Sequence, residues 1–151
     1  MTAMYVRNFM GESLRIEGIN RLPTEPELAV TTDFLKLKKL EVDDVEYLVS
    51  IYEPRAILRK NVGVNVRVGD HKPIPGGPIV VEQLTELLEK ISTGKLTPYQ
   101  GHQAYETLHP FTDGNGRSGR TVWLWHMYQR QEHMALNFLH YWYYQSLAEA
   151  R

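Results

Sequence analysis

His109-Pro110-Phe111-Thr112-Asp113-Gly114-Asn115-Gly116-Arg117-Ser118-Gly119-Arg120 is the stretch that decides how this 151-residue chain reads. Gly114 and Gly116 bracket Asn115 directly ahead of a helical pattern. Such a turn can aim successive backbone N–H groups into one concavity, and the helix that follows adds the positive end of its dipole. Arg117 and Arg120 stand at i and i+3 on the first turns of that helix, so they project from one face toward the same space. Two guanidiniums beside a backbone nest suit a polyphosphate better than a single carboxylate, because phosphate oxygens accept bidentate forks. Stability alone would put acids at a helix N-terminus, and paired cations there are unfavourable by roughly a few tenths of a kcal/mol when no anion is bound. A local violation of this kind is what a functional site produces. Asp113 offers one hard oxygen ligand at the edge of the nest, the usual protein share of a Mg²⁺ that takes its other ligands from phosphate and water. His109 closes the preceding helix, where a neutral imidazole can act as general base. Phe111 is expected to anchor the loop in the core. Taken singly, His-Pro-Phe and Gly-Asn-Gly are ordinary turns and paired arginines an ordinary solvated face; that explanation strains when all of them fall in one short run.

Outward from this run the apolar spacing is mostly helical. Downstream, Val122, Trp123, Trp125, His126 and Tyr128 predict a helix that is apolar on most sides and hence buried. Upstream, Thr97-Pro98 reads as a cap followed by proline at the first helical position, with that helix running to about Leu108. Residues 79–91 carry a stripe of Val81, Leu84, Leu87, Leu88 and Ile91, entered through Pro78 and stopped by Ser92-Thr93-Gly94. Residues 43–52 carry Val45, Leu48, Val49 and Tyr52, with Asp43 or Asp44 available as a cap. Near the start, Ser13 to Gly18 predicts a brief helix, separated by Pro23 and Pro26 from a second one over 28–40. Such a tethered helix can dock as a plug or simply pack as ordinary structure. Residues 136–150 are aromatic-rich and predict one more helix. One segment breaks the pattern: over 61–77, Val62, Val64, Val66 and Val68 alternate with Gly, Asn and Arg, and Gly69-Asp70 is a turn former. It predicts a short β-hairpin or flap leaning on the helices, the alternative being an irregular surface loop.

With those residues in view, the segment 109–120 resembles the signature of the Fic family, His-x-Phe-x-[Asp/Glu]-Gly-Asn-Gly-Arg-x-x-Arg, and every fixed position is present. Residues 66–75, V-R-V-G-D-H-K-P-I-P, are similar to the family's target-docking hairpin, with Val66, Arg67 and Val68 as its docking edge. The related Doc kinases carry a different sequence in place of Gly-Asn-Gly-Arg, so the resemblance is to the adenylylating branch. It implies a mainly α, Fic-type helical bundle with a short β-hairpin flap, as one domain over residues 1–151. The implied reaction is transfer of AMP from ATP, with Mg²⁺, to a Ser, Thr or Tyr hydroxyl of a protein target, either another protein or the chain itself. In that resemblance His109 deprotonates the hydroxyl and Asp113 holds Mg²⁺. Asn115 and the Gly114–Gly116 amides cradle the phosphates, Arg117 clamps the β-phosphate side and Arg120 meets the γ-phosphate. Tyr143-Tyr144 with Leu147 is similar to a Tyr-Tyr-x-x-Leu helix that lines the adenine side in some members, core packing being the other reading of those aromatics.

Ser13-x-x-x-Glu17-Gly18 resembles the inhibitory motif [Ser/Thr]-x-x-x-Glu-[Gly/Asn] of autoinhibited Fic proteins, in the class whose inhibitory helix, here about residues 10–20, is N-terminal. The resemblance implies an ion pair of Glu17 with Arg120 in the place of the γ-phosphate. A plain surface glutamate is the alternative, although the helix dipole disfavours an acid at a C-terminal end. In some relatives the same glutamate supports removal of AMP, so a phosphodiester hydrolase stays open, as does a non-catalytic nucleotide-binding module. His126, His133 and His140 recur every seven residues, which on one helix is about 10 Å of rise and too far for a single ion. His71 and His102 carry no derived role.

Composition sets the outer bounds. Zero cysteines exclude a disulfide scaffold, a thiolate zinc site and a cysteine nucleophile. A net charge of −1 gives no bulk pull toward nucleic acid or anionic membrane, and no apolar run is long enough for a signal peptide or a span. The expectation is a soluble, cytoplasmic domain; a homodimer burying part of the aromatic surface is a further expectation.

Overall fold

A computed structural model describes residues 3–130. Among them the chain forms six helices: α1 (Ala3–Ile16), α2 (Glu25–Leu35), α3 (Val42–Tyr52), α4 (Pro78–Ser92), α5 (Pro98–Leu108) and α6 (Asn115–Gln129). The fold is all-α, as expected. Helix α6 is packed by α1, α2, α3 and α5, and α4 lies against α3 and α5. Its sequence explains that position: Val122, Leu124 and Trp125 are buried together with Ser118, Arg120 and Thr121, so both its apolar and its polar faces are covered. Gly119 permits the approach of α5, since a Cβ there would run into the side chains of Glu106 and Tyr105. Helix α3 buries its predicted stripe, whereas α4 buries Val80 in place of the expected Val81, with Leu84, Leu87, Leu88 and Ile91 as predicted; α5 opens on a capping box between Thr97 and Gln100 with proline in its first turn. Helix α3 starts one residue earlier than expected, with Asp44 reaching back to the N–H of Glu41.

Two helices differ from expectation. Helix α1 is a full helix from Ala3, with Val6, Phe9, Met10, Leu14 and Ile16 all in the core. Burial of each such side chain is worth about 1.5–3 kcal/mol. It is therefore a wall of the domain as well as the carrier of Ser13 and Glu17. Helix α2 begins at Glu25 and ends at Leu35 rather than covering 28–40. Thr24 and Glu27 form a reciprocal capping box, and Pro26 falls in the first turn, where its missing N–H has no partner to lose. The chain cannot stay helical to residue 40: Leu37 O accepts from Trp125 Nε1 at 2.8 Å and Leu40 N donates to Ser92 Oγ at 2.9 Å.

The flap is smaller than a hairpin with strands. Val68 and His71 form a single antiparallel bridge, exchanging both backbone bonds at 2.9 Å across Gly69-Asp70. Gly69 takes the positive φ, 57°, that a type II′ turn puts at its first central position. The alternation holds at Val64, Val66 and Val68, half-buried between exposed Asn65 and Arg67, and fails at Val62, which is exposed. No ladder extends from it, because Val64 O is taken by Arg59, and Gly76 N by the Asn65 side chain. The helix expected over 136–150, with Tyr143, Tyr144 and Leu147, lies outside the described residues, as do His133 and His140.

Candidate active site

Helix α5 stops because Pro110 disfavours a right-handed residue before it. His109 leaves the helix in the left-handed region, φ 51°, ψ 63°, with its N–H still bonded to Tyr105 O at 2.9 Å. It is the only non-glycine residue of positive φ among those described. Such a backbone costs about 1–3 kcal/mol and persists only where surroundings over-determine it. They do so here. Residues 110–112 lie antiparallel along 57–59, with Arg59 N donating to Pro110 O at 2.9 Å and Thr112 N to Ile57 O at 3.0 Å. Phe111, fully buried, anchors the loop as its sequence suggested.

Gly114 turns the chain at φ 75° into α6, whose first helical bond is Ser118 N to Gly114 O. The N–H groups of Asn115, Gly116 and Arg117 therefore have no intrahelical acceptor, which is the donor set of an anion nest. The Asn115 side chain does something other than cradle phosphate. It is 2% exposed, and its amide closes on Phe111, donating to the carbonyl at 2.8 Å and accepting from the N–H at 2.9 Å. That clip holds the loop shut beneath the nest.

The two arginines are each met by a different element. Arg120, 1% exposed, donates from Nε to Ser13 Oγ at 2.8 Å, and from Nη2 to Ser13 O at 2.9 Å and Glu17 Oε1 at 2.7 Å. The expected pairing of Glu17 with Arg120 is thus present. Helix α1 ends in a Schellman motif: Ile19 N bonds Leu14 O and Gly18 N bonds Arg15 O, with Gly18 at φ 72°. Glu17 is thereby fixed at the helix end, an unfavourable place for an acid that the guanidinium offsets. Gly116 supplies the space, because a Cβ on it would overlap Glu17 Oε1. Arg117 turns instead to the end of α3, donating to Tyr52 O at 2.9 Å and Glu53 Oε2 at 3.1 Å.

Asp113 is exposed. Its Oδ1 accepts from Gly114 N at 2.7 Å and lies 3.9 Å from Arg117 Nη2. Among the described residues no group of three or more metal-ligating side chains exists. The donor set fits a Mg²⁺ that arrives with phosphate ligands and water and takes one carboxylate from the protein.

Sequence reasoning passed over three residues. Tyr52 sits in a buried hydroxyl chain from Thr31 to Thr121, which bonds Arg117 O at 3.0 Å; burial pushes the Tyr52 hydroxyl up to about 12, so it stays a donor. Glu53 could have been found by the argument applied to Glu17, an acid at a helix C-terminus. Arg59 follows Leu58 in a short apolar run and carries no sequence signal. Of the histidines, His102 is buried and donates from Nδ1 to Gly119 O at 3.1 Å, and His126 is buried beside Gly101.

Residues 58–127 match the model of the Fic/DOC family. Comparison with curated proteins gives no match, and comparison with solved structures gives none. The matched stretch runs from the segment under the flap through most of α6 and leaves Ser13, Glu17 and Gly18 outside it. Among the described residues no helix is long and apolar enough to cross a membrane.

Proposed function

We propose that this chain is a Fic-type protein adenylyltransferase, moving AMP from ATP to a Ser, Thr or Tyr hydroxyl, and that Glu17 holds it inactive. The observation that carries the reading is the seat of Arg120: a buried guanidinium beside the open N–H groups of α6, covered by a single carboxylate just past the end of α1. That is a polyphosphate site filled by an internal anion. The Fic/DOC match supports the class of reaction, since such proteins generally transfer nucleotide monophosphates to proteins. In the reaction the target oxygen attacks the α-phosphorus and His109 takes its proton. The bond from the α-phosphorus to the bridging oxygen breaks, and pyrophosphate leaves. The α6 N–H groups and Arg117 stabilise charge on the phosphates, and Arg120, once released, orients the γ-phosphate. Asp113 would hold Mg²⁺, which when bound neutralises phosphate charge. Val66, Arg67 and Val68 would take an extended target segment along the flap.

The test follows α-labelled ATP into protein with Mg²⁺, using wild type, Glu17→Gly, and Glu17→Gly with His109→Ala. Strong label in Glu17→Gly alone is the expected result. Label in wild type equal to that in Glu17→Gly would remove the inhibitory role. Absence of label from every sample, together with release of AMP from pre-labelled protein by wild type but not Glu17→Gly, would replace the transferase with a hydrolase.

A further inference from the structure

Arg59 is 0% exposed, yet every bond of its guanidinium goes to a main-chain carbonyl rather than a carboxylate. Burial lowers the pKa of this group, the mark of a charge withdrawn from water. An apolar side chain would fill such a position at less cost, so the placement of the fork requires a reason. On one side Nε donates to His109 O at 2.8 Å and Nη2 to Leu108 O at 3.0 Å. On the other, Nη1 donates to Ile74 O at 2.8 Å and to Val64 O at 3.3 Å, one carbonyl on each arm of the flap. The carbonyl just before this pair, Thr107 O, accepts from His71 Nε2 at 2.9 Å, and His71 is the flap's own bridge residue. Three successive carbonyls at the end of α5, which no helical N–H can reach, are thus satisfied from the flap and its root. The partial negative charge of a helix C-terminus explains why a cation and an imidazole N–H serve there.

We propose that Arg59 is a positioning residue that couples the flap to His109, with His71 as a second tie; this rests on the reading of His109 as the general base. One rigid, planar fork joins both flap arms to the carbonyl of the left-handed His109, so displacement of the arms is transmitted to the backbone that aims the imidazole. A lysine, with one rotatable head, cannot reproduce that geometry. Engagement of a target segment by the flap and alignment of the base are consequently one event.

The experiment uses the full chain carrying Glu17→Gly as parent, with Arg59→Lys and His71→Ala added singly. Two readouts are taken: the ¹H–¹³C correlation of the His109 ring without nucleotide, and label incorporation at saturating Mg·ATP with the KM for ATP. In Arg59→Lys the His109 signal moves and the rate falls roughly 10²-fold, as for a reacting group displaced by about 1 Å, while the KM for ATP stays within about twofold. In His71→Ala the His109 signal moves as well, and the rate falls by less. A lowered melting temperature with the His109 signal and rate unmoved overturns the proposal and leaves Arg59 a structural cation. If Arg59→Lys does not fold, His71→Ala decides alone, since its ring lies at the edge of the fold. If the parent takes up no label, self-modification fails, and the ring signal still decides the coupling.

Discussion

A methyl group on Gly116 would enter the space of Glu17 Oε1 and come within 3.0 Å of Arg120 Nη1. Glycine to alanine in a helix ordinarily gains about 0.5–1 kcal/mol, so the sign of Gly116→Ala is diagnostic. It should instead lose about 1–2 kcal/mol through overpacking, and should return to neutral or favourable when Glu17→Gly is also present. Urea unfolding of the two single variants, the double variant and wild type measures that cycle; strict additivity would mean that Glu17 does not occupy the seat. Glu53 poses a parallel question at Arg117, whose side chain is nearly buried while that of Glu53 is partly open. If Glu53 competes with phosphate for Arg117, then Glu53→Gln in the Glu17→Gly background tightens Mg·ATP binding by roughly threefold to tenfold, about 0.7–1.4 kcal/mol. Calorimetric titration reads this directly, and weaker binding would show that Glu53 aims the arginine instead. At this scale His109, Phe111, Gly114 and Arg120 were legible because their chemistry is local to one run of sequence. Arg59 and Glu53 were not, because they reach the turn from other elements and meaning comes only from what they touch.

The junction of α1 with α2 is built from charge. Arg21 donates to both carboxylate oxygens of Glu27, at 2.7 and 3.1 Å, and Glu27 also accepts from Thr24 N at 2.8 Å. Burial pushes the Glu27 carboxyl up, but these bonds and the Arg21 charge bring it below its usual range. A folded-state pKa lower than the unfolded one means stabilisation that is complete above about pH 4.3 and lost as pH falls through the folded value. Melting temperatures from pH 7 down to about pH 2 should therefore fall more steeply for wild type than for Glu27→Gln, which starts lower at pH 7. Identical acid limbs would detach Glu27 from acid stability. The start of α2 was readable in Thr24-x-x-Glu27, and Pro26 drew the boundary too late. The flap shows the opposite case. Its alternation of burial holds from Val64 to Val68 but not at Val62, and alternation says which side faces in and not whether a second strand pairs with it. Here the carbonyls that a ladder needs are spent on Arg59.

For the molecule as a whole, α1 is too deeply packed to be an accessory. Its five buried apolar side chains represent about 8–15 kcal/mol, as much as the net stability of an ordinary domain. Removal of residues 1–18 should abolish cooperative thermal unfolding by circular dichroism, whereas Glu17→Gly should keep its midpoint within about 2–4 °C of wild type, the shift that corresponds to about 1 kcal/mol in a domain of this length. A truncated chain that melts cooperatively near the wild-type midpoint would overturn this. Arg120 would also stay aimed in Glu17→Gly, since its bonds to Ser13 Oγ and O do not depend on the glutamate. On the proposed reading, restraint is inherited with the fold rather than added to it. A descendant that discards the helix would lose the fold, while one substitution at the residue just past its end would release the site. Unrestrained variants would then arise by point change at position 17 and not by loss of the segment that bears it.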